Sequence, residues 1–583
     1  MLFQHITDYK QALDAIHYLS HSKYIFLDTE VYIQDIKSPD YSKDKIRLIQ
    51  LGNDKEIFLL DIFKLKPYLD YIFPDLKELL ERKGIIGHFL KFDIKFLIGN
   101  FNIFPQIVFD TFIVSKLLFP NLPKYSLSFV YHYLTDKPLD KTEQSSNWGA
   151  LELSKSQLEY AAKDILVLQE IFPILIYRIN KLPKPNLKLS GSISKTFGLY
   201  HPVFLTELFL VPFISKLEID GINLDENEIE NLEREIKNKY SQIYYKFFKE
   251  ENIRLDRQNE LKHWFSKKFG IKVNSPNLSE EILNSLPNIE IKILLKEFFK
   301  IKRALNKIQE IKKNIKNNRI FPEIKQIASQ TGRMYFIEPN IQNIPREIKG
   351  IIKAKKGNKL IIADYSQIEL RIAAEYVKEE KMIRAFKENK DLHKFTASLI
   401  FNKDYSEIND DERKKAKAIN FGLLYGMNYK TLKGYLKSLD ISISEEEAKK
   451  FIDRFFNSYP AFKKWHEKVK TRLKEKRKIS VYSLFGRKMI VNKFNDAINY
   501  PIQATGSDIF KLAIGIFIKE AEGKNFEIKN LVHDEIVLET EENIAVKLAE
   551  ILKLSMEKAG KIILKNVPVE VDVRIADSWN EKW

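Results

Sequence analysis

Cysteine is absent from all 583 residues, so neither disulfides nor thiolate zinc sites hold this fold. That absence leaves the redox compartment undetermined. Long apolar runs are missing too. A candidate such as Phe204–Ile214 is too short to span a membrane and is interrupted by Glu207 and Pro212. The start, MLFQHITDYK, has no basic stretch leading into an apolar core, so no secretory signal is expected. There is no repeat with a period of about 20–50 residues and no low-complexity tail. Acidic residues are the minority charge: 79 Asp+Glu against 96 Lys+Arg leave a net charge of +17. Such a surplus points to a polyanionic partner, since each phosphate neutralised releases counterions, although ribosomal and membrane-surface proteins share it. At about 150 residues per domain the length suits roughly four units and a large buried core. The chain is expected to be soluble, cytoplasmic and free of membrane contact.

What is present concentrates in a few strings. Asp364, in DYSQIELR at 364–371, follows the apolar run Leu360–Ala363, which reads as a buried strand. Asp534 sits in His533–Asp534, between the strand-like runs Ile528–Val532 and Glu535–Glu539. Two residues between such runs predict a tight hairpin with one carboxylate at its tip. Alone, either aspartate reads as a turn or cap residue. As a pair at strand ends, they are what two magnesium ions need to hold a triphosphate and an attacking 3′-hydroxyl in line.

Arg413, Lys417, Phe421 and Tyr425 recur every fourth residue in RKKAKAINFGLLYG, which places them on one slowly drifting helical face. Two cations, a ring and a phenol suit a triphosphate tail followed by a sugar and a base. An amphipathic helix with a core Phe and Tyr is the bland alternative. Gly422 and Gly426 are expected to clear space for a nucleobase or template strand to approach the backbone.

Taken together these strings resemble the family A DNA polymerases, the bacterial DNA polymerase I family. DYSQIELR resembles motif A, Arg413–Gly426 motif B and VHDE at 532–535 motif C, in the family's order. TGR at 331–333, PNIQNIP at 339–345, DLHKFTA at 391–397, LFGRK at 484–488 and NYPIQATGSDIFK at 499–511 fill the gaps.

The first third carries a second carboxylate set. Tyr24–Leu27 reads as a short strand running into Asp28-Thr29-Glu30. The two acids are expected to face opposite sides of an extended chain, meeting at one metal pair only if the strand ends or bends there. Asp93 follows in GHFLKFDIKFL, and Tyr160 with Asp164, four apart on a helix, in EYAAKDILVL. Four acids around two cations can polarise water and steady a leaving 3′-oxygen. With RLIQLG at 47–52, FDT at 109–111 and SNWGALELSKSQLEYAAKD at 146–164, this set resembles the DEDDy-type 3′–5′ exonucleases. In one departure, Phe89 stands where that family usually has Asn.

The resemblance implies a multi-domain α/β chain, with an RNase H-like exonuclease domain at 1–180, a linker at 181–200 and a right-hand polymerase domain at 201–583. The polymerase would comprise a helical thumb (about 222–318), a palm with an antiparallel sheet (about 319–374 and 489–583) and helical fingers (about 375–488). No 5′-nuclease domain is expected. By the same resemblance, Asp364, Asp534 and the carbonyl of Tyr365 hold two Mg2+ ions, for which Mn2+ can substitute, with Glu535 beside them. Asp28, Glu30, Asp93 and Asp164 hold the exonuclease pair, with Tyr160 as a catalytic partner. Arg413, Lys417 and His393 would supply positive charge to the phosphates, and Lys417 would protonate the leaving group. Phe421 would pack on the deoxyribose and Tyr425 would close the base-pair pocket. Gln367 would contact the dNTP, and Glu369 would be the steric gate against a ribose 2′-hydroxyl. Arg333, Asn499, Gln503 and His533 would touch the minor groove and primer terminus of a primer–template DNA. The family's Arg four residues before Asn499 is Asn495 here, and a usual pair of serines is Tyr335-Phe336. A monomer acting in DNA replication or repair is the resulting expectation. A single-subunit RNA polymerase is opposed by Glu369 and by the exonuclease set. An RNase D-type nuclease would leave the last two thirds without a role, and a non-catalytic scaffold would need none of these acids.

Overall fold

The computed structural model describes residues 3–581 apart from 36–38, 186, 188, 272–281, 284–285 and 440. The first third is one six-stranded sheet formed by β1 (Gln4–Ile6), β2 (Tyr24–Tyr32), β3 (Lys45–Gly52), β4 (Ile57–Asp61), β5 (Gly84–Gly87) and β6 (Ile107–Asp110), in the order β1-β4-β3-β2-β5-β6. β2 pairs antiparallel with β3 and parallel with β5, so it is central and covered on both sides. The helix Lys155–Asn180 packs across β2, β3 and β4. It starts cleanly because Ser154 and Gln157 form a reciprocal capping box, which satisfies two otherwise orphan N–H groups.

A second sheet, of four antiparallel strands, carries the other carboxylates. It consists of β7 (Asn358–Tyr365), β8 (Glu527–Val532), β9 (Glu535–Glu541) and β10 (Val571–Ala576), in the order β8-β9-β7-β10. The long helices Phe494–Glu520 and Glu542–Ile563 pack on one another, and the second also packs on β7. Between the sheets' segments, residues 226–314 include two 26-residue helices, Glu226–Glu251 and Ile289–Asn314, packed along each other. They share a separate core of Phe247, Trp264, Phe265, Leu295 and Phe298. Among the described residues, six helices from Glu380 to Glu475 make a further block.

Segment 181–200 lacks a sustained apolar period, yet it contains the helix Ser192–Phe197, whose Ile193 and Phe197 are buried. That helix packs against β5 and β6. The apolar run Phe204–Ile214 lies in the buried helix Pro202–Asp220, which is wedged between the helix Lys91–Phe101 and the helix Phe494–Glu520. Among the described residues no helix is long and apolar enough to cross a membrane.

The two residues that broke this apolar run have separate explanations. Pro212 lies inside the helix. Glu207, 0% exposed, accepts from Arg487 at 2.5 Å, Lys511 at 2.7 Å and Gln326 at 2.7 Å. Burial alone would raise its pKa, but Lys511 and Arg487 hold it below the usual carboxylate range. Arg487 also donates to Asp508 at 2.8 Å, so one guanidinium joins helices far apart in the chain. Gly332 fits beside it at φ +76, where a Cβ would come within 2.5 Å of the guanidinium carbon. Arg487→Met is therefore expected to cost about 3–5 kcal/mol, because it removes the buried cation that Glu207 and Asp508 share. Denaturant unfolding of the two proteins reads this out, and equal midpoints would show that the network holds nothing together.

Candidate active sites

Asp364 is the penultimate residue of β7, and the register places Glu535 of β9 and Asp572 of β10 directly opposite it. Residues directly opposite project from one face, so three acids cross this edge of the sheet. Like charges so placed repel unless a cation sits among them. His533 and Asp534 form the predicted two-residue turn between β8 and β9, with His533 at φ +54. The Tyr365 N–H donates to the Asp534 carbonyl at 3.3 Å, which joins the tip of the hairpin to the end of β7. Tyr365 is itself fixed, its buried hydroxyl donating to the Met556 carbonyl at 2.7 Å. Glu535 is buried and accepts from the Trp579 indole at 2.7 Å, so its carboxylate is anchored by the C-terminal segment. Neither Asp572 nor Trp579 stood out in the sequence, since only strand register and chain return bring them here.

Arg413, Lys417 and Phe421 lie on the helix Asp410–Leu424, and Tyr425 caps its C-terminus. Arg413 forms a two-pronged ion pair with Asp391, at 2.6 and 3.0 Å. Asp391 also caps the helix Leu392–Phe401 that carries His393, so helix start and cation are fixed together. His393, expected to bring positive charge to the phosphates, sits in a buried setting. It is 3% exposed, burial pushes its pKa down to about 4, and its Nδ1 lies 3.1 Å from the Asn420 amide. That shift favours the uncharged imidazole, whose ring centre lies 5.8 Å from that of Phe421.

Glu369, in the first turn of the helix Ile368–Val377, accepts from Arg333 at 2.9 Å and from the Tyr425 hydroxyl. Burial first, then the Glu369 charge, raises the Tyr425 pKa, so the phenol stays protonated and donates. His533 is lowered by burial and by the nearby Arg333. Gln367 precedes that helix at φ +52, with its buried Oε1 lacking a hydrogen-bond partner among the described residues. Asn499 and Gln503 lie four apart on the helix Phe494–Glu520, and the Asn499 Oδ1 is likewise buried and unpartnered. The expected role of the two glycines changes. A Cβ at Gly422 would meet Leu432 at 3.0 Å, and one at Gly426 would meet Ile498 at 2.4 Å. Gly426 also adopts φ +72, so close packing and a left-handed turn explain them without a strand of nucleic acid.

In the first domain, Asp28, Glu30 and Asp164 have ligand oxygens within 4.8 Å of one another, a spacing that fits a divalent cation. The expected need for the strand to end or bend is wrong. β2 runs unbroken to Tyr32, and residues two apart share a face, so Asp28 and Glu30 point the same way by ordinary pleating. A bulge follows Glu30, after the pair is already set. Burial first, then repulsion by neighbouring acids (Asp93 foremost for Asp28, Asp164 for Glu30), raises both pKa values well above the usual range. Asp164 is also raised by burial. Asp93 stands outside the tight cluster. It is buried, pushed up to about 7 by burial, and accepts from the Thr29 hydroxyl at 2.6 Å. Tyr160 lies on one helical face with Asp164, and burial raises its pKa. Lys141, not anticipated, places its ammonium 2.8 and 2.9 Å from the two Asp164 oxygens and 3.0 Å from the Tyr160 hydroxyl.

Comparison with known proteins is consistent along the chain. A model described as DNA polymerase family A matches residues 225–581, and one described as 3′–5′ exonuclease matches residues 3–180. DNA polymerase I of Aquifex aeolicus is 41% identical over 599 residues, covering 100% of both chains. The chain belongs to DNA polymerase family A. DNA polymerase I of Borreliella burgdorferi is 30% identical, over 99% of this chain and 64% of that one. The polymerase spans about half the length of the thermostable DNA polymerase I of Thermus aquaticus, 46%, at 30% identity over 63% of this chain. A solved structure titled as the POL domain of Pol1 from M. smegmatis, in complex with DNA primer-template and dNTP, superposes with a TM-score of 0.77. It covers 99% of each chain at 21% identity, a likeness of fold. The polymerase thus pairs template-directed DNA synthesis with a proofreading 3′–5′ exonuclease domain. Both kinds of domain depend on divalent metal ions.

Three departures from the family pattern occupy definite places in this polymerase. Phe89 is 38% exposed, edge-on to Phe112 at 5.0 Å, and its N–H donates to Asp110 at 2.9 Å. Its φ of +59 is a conformation that Asn tolerates far better than Phe, which gives the family's residue a backbone reason. Asn495 is exposed, next to the Gly426 turn. Phe336 is fully buried while Tyr335 is 42% exposed on a two-stranded edge.

Proposed function

We propose that primer extension is centred where β7 meets the His533–Asp534 hairpin, and hydrolysis at Asp28, Glu30 and Asp164 with Asp93 beside them. The observation that carries the first assignment is the Tyr365 to Asp534 backbone bond, which sets two aspartates at adjoining strand ends. Each centre is assigned two Mg2+ ions, with Mn2+ as a substitute. When bound, they would supply charge for the phosphates and a lowered pKa for the attacking hydroxyl or water. Asp364, Asp534 and the Tyr365 carbonyl would hold the first pair, with Glu535 stiffened behind them by Trp579. Arg413 would release Asp391 or share it to reach a phosphate. Neutral His393 would donate a hydrogen bond rather than charge, and Lys417 would protonate the departing pyrophosphate.

Phe421 would lie under the sugar, Tyr425 would bound the base pair, and Gln367 would reach the incoming dNTP. Arg333, Asn499, Gln503 and His533 would grip primer–template DNA from the minor groove. Residues 222–318 would act as the thumb, 375–488 as fingers, and 319–374 with 489–583 as the palm, behind an exonuclease at 1–180 and a linker at 181–200. The net charge of +17 supports a DNA partner. A cytoplasmic monomer acting in replication or repair is the corresponding cellular reading. One primer-extension assay with a labelled 3′ end, run with and without dNTPs, tests both centres. Extension with dNTPs and shortening without them are expected. Failure of either removes the corresponding assignment.

Phe89 makes the exonuclease centre slower than an Asn-bearing one, because a ring offers no hydrogen bond to the terminal nucleotide. Phe89→Asn is expected to speed single-turnover digestion of a mismatched primer roughly two- to tenfold, the worth of one hydrogen bond. Asp28→Ala serves as the inactive control. A wild type no faster than that control would mean the domain does not proofread.

A further inference from the structure

Lys141 lies inside the cluster of acids, but it arrives from a different part of the chain. It follows the helix Leu127–Thr135 and immediately precedes the single turn Thr142–Ser145. Beyond it, the segment is pinned to the domain: Gln157 donates to Ser146 at 2.9 Å and to the Asn147 carbonyl at 3.3 Å, and Arg47 reaches the Leu151 carbonyl at 3.5 Å. The Lys141 ammonium itself contacts site groups, both oxygens of Asp164 and the hydroxyl of Tyr160, and it stands 4.9 Å from the Tyr160 ring centre. Those two Asp164 oxygens belong to the carboxylate that closes the 4.8 Å cluster with Asp28 and Glu30. An ammonium donating to both occupies the two oxygens that Asp164 would offer a cation. At the same time it offsets part of the repulsion among buried acids, which otherwise opposes their ionisation.

We propose that Lys141 is a built-in counter-cation of the exonuclease centre. It holds Asp164 and Tyr160 in register while metal is absent, and it must leave Asp164 before that carboxylate can coordinate. The metal concentration at which the exonuclease switches on is therefore set by competition with a side chain of the protein's own. Lys141 is a positioning residue in this scheme and takes no part in bond breaking. The proposal rests on the reading of Asp28, Glu30 and Asp164 as metal ligands.

Direct binding of Mn2+ to the full chain tests it, measured by the loss of the free-ion electron paramagnetic resonance signal. An Asp534→Asn background keeps the polymerase centre from dominating the titration. Lys141→Met should bind Mn2+ roughly three- to tenfold more tightly than the Lys141 protein, as expected for removing a partly exposed like charge. Lys141→Arg should stay near the parent. The Mn2+ concentration giving half-maximal digestion of single-stranded DNA should fall by the same factor in Lys141→Met. Equal or weaker binding in Lys141→Met overturns the proposal. Should that variant fail to fold, Lys141→Gln keeps a donor to Asp164 without the charge and carries the same expectation. Asp164→Asn separates the underlying reading: if it binds Mn2+ as the parent does, the cluster is not the metal site.

Discussion

Asp534→Asn is expected to reduce primer extension at least about a hundredfold, or about 2.7 kcal/mol of transition-state stabilisation, while leaving duplex binding nearly intact. Asp534 sits at the tip of a two-residue turn, where Asn has the same shape and is well tolerated, so the backbone should not move. What is lost is one negative charge at the place where Asp364 and the row of Glu535 and Asp572 converge. A carboxylate shared by two metals would not be replaced by its neighbour Glu535, whose carboxylate already accepts from the Trp579 indole. Binding of the duplex rests instead on many dispersed phosphate contacts, each contributing little. Extension by rapid quench and duplex affinity by fluorescence anisotropy separate the two quantities. Residual synthesis above about a hundredth of the wild-type rate would count against Asp534 as a shared ligand.

Much of this centre was legible in the sequence because its geometry is local. An apolar run ending in Asp364 predicts a strand with a carboxylate at its mouth, and β7 is that strand. Two strand-like runs separated by His533–Asp534 predict a hairpin, and the turn spans those two residues. Features that depend on distant packing were not legible. Lys141 and Asp164 are 23 residues apart with no periodic relation, and Arg487 meets Glu207 across 280. The lowered pKa of His393 follows from burial, which a helical spacing does not reveal. Gly422 looked like a clearance for a ligand, but the space is filled by Leu432 from the following helix. The opposite-face expectation for Asp28 and Glu30 failed for a simpler reason: a strand repeats every two residues, so the pair shares a side.

Glu369→Ala is expected to admit ribonucleotides, lowering the dNTP-to-rNTP ratio of kcat/KM by about tenfold or more. Room for one hydroxyl is worth about 1–3 kcal/mol in a close-fitting pocket. In the structure the Glu369 carboxylate has a mechanical support that no motif describes. Arg333 donates to one Glu369 oxygen at 2.9 Å and the Tyr425 hydroxyl donates to the other, so the carboxylate is clamped from two elements. A clamped side chain excludes by volume, because it cannot swing aside for a 2′-hydroxyl without breaking both bonds. The same geometry distinguishes the gate from its clamp. Tyr425→Phe keeps the Glu369 volume but removes one anchor, so it should loosen discrimination by less than Glu369→Ala does. Steady-state incorporation opposite a single template base, with dNTP and rNTP in parallel, measures all three proteins. An unchanged ratio in Glu369→Ala would show that sugar selection lies elsewhere. Equal losses in both variants would mean that the anchoring, rather than the volume, does the excluding.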